Sequence, residues 1–266
     1  MTTATLPSGI RLTGGGLLRS EWIKLRSLRS TVWSYALVVL VAVGMAALMA
    51  ANFPVDGAPP EAHGAIAVQV ATFGLFFGQL VVAVLGVLVI SGEYSTGVIR
   101  STLTADPRRL GALWAKTAVL FATTFVVGAV ASIVSFLVAA PILSGRGVSA
   151  SLLEPAVILP LLGGGLYLAL VAVLGLGIGT ILRSGAGGIA AALGLVLLLP
   201  VVLQMIPVEW AQNLVPYTFS QAGSALFAAP LPGDDAVDLW RNLAITVGWA
   251  VAGIGGGAVL LKRRDA

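Results

Sequence analysis

The chain has 266 residues, 58% hydrophobic and only 10% charged, with a formal net charge of +4 and a mean hydropathy of +1.01. A soluble domain carries roughly 25% charged residues, so the solvent for most of this chain is lipid. With no cysteine and one histidine, His63, the composition excludes disulfides, thiolate chemistry, zinc-thiolate sites and iron-sulfur clusters.

At about 20 apolar residues per crossing, this length holds roughly six or seven membrane helices. The apolar runs are continuous and rich in Leu, Ala, Val and Gly, not alternating as in a β-barrel, which predicts an all-α integral membrane fold in one domain, 1–266. Residues 1–30 are polar, then basic, and read as an interfacial segment. Six runs follow, at 31–51, 65–90, 113–140, 156–182, 186–206 and 243–261. The first is longer than a signal-peptide core and no clean A-x-A site follows it, so it reads as an uncleaved span. Only Arg183-Ser184-Gly185 separates the fourth run from the fifth, which predicts an antiparallel hairpin. Residues 207–242 are too apolar for a disordered tail and suit short helices at 208–214 and 217–227, ended by Pro230 and Pro232-Gly233-Asp234.

Lys and Arg set the expected orientation. With a cytoplasmic N-terminus, the inner segments hold thirteen of the fifteen basic residues and the outer ones only Arg146 and Arg241, which predicts both termini in the cytoplasm. The two halves share no matching features, so an inverted repeat is not expected.

Few residues offer chemistry. No Asp, Glu, His, Lys or Arg lies deep in a run; Lys116, near an end, is expected to snorkel to the surface, and Glu154 to stay wet. His63 sits in a Pro- and Gly-rich outer loop without an HExxH partner. No Gly-Lys pair exists, so there is no P-loop. The clusters Gly163-Gly164-Gly165, Gly175-Leu176-Gly177-Ile178-Gly179 and Gly255-Gly256-Gly257 lie within apolar runs and read as helix-packing surfaces. On the second run Gln69, Thr72, Phe76, Gln79 and Ala83 share one helical face, while Gly74 and Gly78 form a GxxxG on another. Thr124, Gly128, Ala131 and Ser135 align similarly on the third. Gln69, Thr72, Gln79, Thr124 and Ser135 are thus candidates for a substrate path; interhelical hydrogen bonding accounts for the same stripes.

The inner connection 91–112 is the most informative segment. A short amphipathic helix over 93–103 would carry Glu93 at its N-terminal end and present Val98, Ile99 and Leu103 for docking, before Asp106-Pro107 turns the chain. Arg100, Arg108 and Arg109 could equally anchor it to lipid headgroups.

At these residues the sequence resembles the permease subunits of ABC type-2 exporters. The likeness rests on the basic segment Glu21-Trp22-Ile23-Lys24-Leu25-Arg26-Ser27-Leu28-Arg29, on six spans, and on Glu93-Tyr94-Ser95-Thr96-Gly97 followed by Pro107-Arg108-Arg109 and Lys116. It implies that Glu21, Trp22, Lys24, Arg26 and Arg29 belong to an interfacial connecting helix. It also implies that Glu93, Tyr94, Gly97, Ile99, Arg100, Leu103, Pro107, Arg108 and Arg109 couple the chain to a separate ATPase subunit. MgATP would then bind that partner, with no cofactor or catalytic site on this chain and no nucleic acid among its partners. A second permease copy or a paralogue would complete a dimer in the plasma membrane. An ATP-independent carrier or channel, and a non-transporting scaffold or immunity protein, are the alternatives. A lipid, a hydrophobic drug or a peptide would fit the polar stripes equally well.

Overall fold

The computed structural model describes residues 13–55, 57–97, 110–231, 233 and 237–263. All regular structure among them is helical. Helix α1 (Gly14–Ser27) starts where the Thr13 hydroxyl accepts the Gly16 N–H at 3.2 Å, and ends at Leu28, whose extended backbone turns the chain into α2 (Arg29–Asn52). A single 3-10 turn leads to α3 (His63–Thr72), α4 (Leu75–Ser95) and, beyond the 98–109 connection, α5 (Leu110–Ser144). Then come α6 (Pro155–Leu182), α7 (Gly185–Leu193), α8 (Leu199–Met205), the short α9 (Glu209–Leu214) and α10 (Phe219–Ser224), and α11 (Leu239–Arg263). Six stretches among the described residues are long and apolar enough to cross a membrane: α2, α3 with α4, α5, α6, α7 with α8, and α11.

The bundle is organised around α6, the most buried of the six, with α4, α5 and α11 packed against it. Its glycines make that possible. A Cβ on Gly165 would lie 2.7 Å from the Ala129 nitrogen, one on Gly175 2.5 Å from the Ala83 carbonyl oxygen, and one on Gly177 would strike Gly253. Backbones approach where side chains would keep them apart, so the first two glycine clusters act as packing surfaces. The third is mixed: Gly257 lies against Thr180, while Gly255 faces open space.

Two spans depart from the single helices expected. The second run is broken at Phe73-Gly74, where the turn tightens: Phe76 N–H bonds Phe73 O and Phe77 N–H bonds Gly74 O. No proline causes this. Gly74 is wedged on α2, its missing Cβ falling 2.5 Å from Ala42 Cα, so tertiary contact sets the break. The fifth run contains a π-helical turn, Gly194–Leu198, in which the Leu199 N–H reaches the Gly194 carbonyl. Pro200 follows; it lacks an N–H and crowds the carbonyl four residues back, and the wider turn accommodates both effects. The α6–α7 hairpin is as tight as its sequence implies. Arg183 adopts a left-handed conformation (φ 52°) with its N–H on Gly179 O, and the Ser184 hydroxyl accepts the Gly187 N–H.

Candidate functional site: a buried ring of charges

Glu21 and Lys24 are one turn apart on α1 and therefore share a face. That face is pressed onto the start of α5, beside the end of α4. There four side chains close a ring of alternating sign. Lys24 Nζ donates to Glu21 Oε1 at 2.7 Å and to Glu93 Oε1 at 3.0 Å. Lys116 Nζ donates to Glu21 Oε2 at 2.5 Å and to Glu93 Oε1 at 2.9 Å. The ring is electrically neutral and joins three helices. Its inner members are almost dry: the Glu21 and Lys116 side chains are each 5% exposed, Glu93 11%, and only Lys24, at 36%, reaches solvent.

This arrangement corrects two expectations. Lys116 does not snorkel; its ammonium is buried between two carboxylates, because α1 covers the point where it would emerge. Glu93 does not begin a new helix. It occupies the last turn of α4, which runs to Ser95 and ends as Gly97 takes a positive φ of 72°. An acid at a helix C-terminus opposes the helix dipole, and the two lysines supply the compensating charge. Burial lowers the pKa of Lys24, but its hydrogen bond to Glu21 and the charge of Glu93 outweigh this and hold it above the ordinary lysine range. The second oxygen of Glu93, Oε2, is buried and finds no donor among the described residues.

Sequence reading missed the ring because its key contacts join residues 95 and 23 positions apart. The available signal was that Glu93 and Lys116, of opposite sign, flank one connection, with a third and fourth charge on the amphipathic segment before the first span. The remaining connecting-helix residues divide by position: Trp22 and Arg26 are exposed on α1, and Arg29 lies past the break as the first residue of α2. Tyr94 is stacked beneath Arg183, whose guanidinium lies 5.2 Å from the ring centre, tying the α6–α7 hairpin to the end of α4. Ile99, Arg100, Leu103, Pro107, Arg108 and Arg109 lie outside the described residues, as does Val98.

The stripe residues separate. Gln79 is buried, accepting from the Tyr167 hydroxyl of α6 and donating to Phe76 O at 2.9 Å. Thr124 meets the Tyr35 hydroxyl of α2 at 2.8 Å. Both therefore hold helices together. Thr72 returns its hydroxyl to Val68 O within α3, and Ser135 is buried with no hydroxyl partner among the described residues. Gln69 is exposed and, with Thr72, lines a cleft of about 500 Å³ at the opposite end of the bundle from the charge ring, walled by Phe73, Phe76 and Phe227.

A six-span helical bundle, with a basic amphipathic helix clamped onto one end by buried ion pairs, has the build of a multi-pass membrane protein. A family profile described as ABC-2 family transporter protein matches residues 17–202, from within α1 to within α8. The chain belongs to the ABC-2 transporter family, whose membrane proteins work with ATPase subunits and are normally non-catalytic themselves. None of the curated proteins compared with the chain matches it.

Proposed function

We propose that the chain is the membrane-spanning subunit of an ABC exporter in the plasma membrane, with both termini cytoplasmic, and that its 98–109 connection seats on a separate ATPase subunit. Family membership supports the class, and the thirteen-to-two division of basic residues supports the orientation. The observation that carries the coupling role is the charge ring. It grips the helix entering the connection through Glu93 and the helix leaving it through Lys116, and fastens both to α1. Movement imposed on the connection by a nucleotide-driven partner would thus reach α1, α4 and α5 together. In this reading Glu93 is a brace rather than a contact. Tyr94 and Gly97 set the exit from α4, while Ile99 and Leu103 supply apolar contacts and Arg100, Pro107, Arg108 and Arg109 the rim.

MgATP would bind the partner, and a second copy or a paralogue would supply the facing wall of the path. Of the stripe residues, Gln69 would be the one to meet substrate, since it is exposed on an open cleft, whereas Thr72 is buried with its hydroxyl on Val68 O and Gln79 and Thr124 are engaged between helices. The test is to co-purify the Ile99→Asp/Leu103→Asp variant with the ATPase that accompanies the wild-type chain. Loss of assembly and of permease-dependent ATP hydrolysis is expected. Unchanged assembly and hydrolysis would contradict the coupling assignment.

A further inference from the structure

Helix α1 has a second face, and its polar residues divide between the two. Glu21 and Lys24 turn inward and neutralise each other in the ring. Arg19 and Arg26, two turns apart and on one side of the helix, turn away from it. Neither guanidinium is paired with a carboxylate among the described residues. They stand at the edge of a cleft of about 880 Å³ between α1, α2 and α5. That volume falls in the range of small-molecule sites, about 300–1,000 Å³. Its walls are apolar: Trp22 and Leu25 from α1, Val32 from α2, and Val119 and Val126 from α5. Tyr35 forms part of the lining with its hydroxyl already engaged by Thr123 and Thr124.

One polar atom in this lining is unaccounted for. Thr31, in the first turn of α2, is 2% exposed, and its hydroxyl finds no hydrogen-bond partner among the described residues. Other threonines of the spans, such as Thr72, Thr117 and Thr180, return theirs to the carbonyl four residues back. A buried hydroxyl without a partner is costly, and this one belongs to a residue that borders the cleft.

We propose that the cleft is a binding site for a single phospholipid with an anionic headgroup. An acyl chain lies along the apolar walls. The phosphate sits between Arg19 and Arg26, the two bases at the edge of the cleft. Two guanidiniums with no acid paired to them among the described residues select a negative headgroup, and the walls require it to carry hydrocarbon; a free phosphate satisfies only the first condition. The lipid would hold the outer side of α1 while the ring holds the inner side. The assignment is independent of which side of the membrane the ring occupies and of the ATPase-coupling role.

The test uses the purified full chain in dodecyl maltoside micelles, titrated with dioleoyl-phosphatidylglycerol or dioleoyl-phosphatidylcholine and read by native mass spectrometry. One phosphatidylglycerol should be retained with roughly tenfold or greater preference over phosphatidylcholine, the scale expected of two bases near an anionic headgroup. The Arg19→Gln/Arg26→Gln variant alters only exposed side chains and should bring that preference close to one. Ala122→Trp, at an exposed position on the α5 wall, should weaken both lipids several-fold by filling the cleft. Equal retention of the two lipids by the wild-type chain, or binding indifferent to both variants, would overturn the proposal. So would inorganic phosphate displacing the lipid at millimolar concentration. The chain has no native cysteine, so Val126→Cys provides a unique thiol. Ready disulfide-linked dimer formation through it in native membranes would show a second copy covering the cleft and would likewise overturn the lipid assignment.

Discussion

The two ends of the bundle are held by different physics. At the end that carries the 98–109 connection, α1, α4 and α5 meet through four charges whose positions are interdependent. At the other end α2, α3, α5 and α6 meet through an apolar cluster that includes Ala46, Ala50, Ile66, Val70, Phe136 and Leu161, with Phe73, Phe76 and Phe227 in edge-on contact beside it. Apolar packing is graded, since a lost methylene costs its own share and neighbours relax around it. A buried ring of charge is not graded: removing one member strands its partners in a medium that cannot solvate them. The connection end should therefore respond to force as one unit, and the far end should yield locally.

Chemically similar substitutions should then have opposite outcomes at the two ends. Lys116→Met keeps most of the side-chain shape but leaves Glu21 and Glu93 buried with only Lys24 between them. A loss of about 3–5 kcal/mol is expected, the usual cost of breaking a buried pair, seen as a large drop in the unfolding midpoint in detergent. Adding Glu21→Gln to Lys116→Met should recover part of that loss; strict additivity of the two changes would show that the ring is not a unit. Leu161→Met at the far end, equally buried and also volume-conserving, should cost less than about 1.5 kcal/mol. Tyr167→Phe removes the interhelical bond to Gln79 and should cost about 1 kcal/mol, the ordinary scale inside membranes.

Lys24→Gln should have the smallest effect, below about 1 kcal/mol, because this member of the ring is solvated. Its pH dependence has a definite sign. The folded-state pKa is raised above 10.5, so the contribution of Lys24 is fully present below 10.5 and is lost as pH climbs through the higher folded value. The stability difference between the wild-type chain and Lys24→Gln should therefore be constant across the neutral range and shrink only in strong alkali. A difference that varies between mildly acidic and neutral pH would place the relevant titration elsewhere in the ring.

What could be read from the sequence follows the same division. Hydropathy alone gave the six membrane-crossing stretches, since each is a continuous apolar run, and Arg183-Ser184-Gly185 announced its hairpin because three residues leave no other geometry. The short helices α9 and α10 were legible from the turn residues that bound them. The break at Phe73-Gly74 was not, because it depends on Ala42 of another helix rather than on any local breaker. Gln79 carried the signature of a path-lining residue; only Tyr167, 88 positions away, reveals its engagement between helices. The ring was hidden for the same reason. Each of its charges looked tolerable alone at a span edge, and complementarity appeared only when α1 folded over the ends of α4 and α5.

If the ring transmits motion from the connection, its rupture should uncouple the chain without detaching its partner. The measurement is ATP hydrolysis by the ATPase subunit purified in complex with the Lys116→Met chain, after size-exclusion chromatography confirms an intact assembly. The expected result is a complex that forms through the unaltered 98–109 segment but hydrolyses ATP at the rate of the ATPase alone. Permease-dependent hydrolysis at the wild-type rate, in a complex whose ring has lost Lys116, would contradict it.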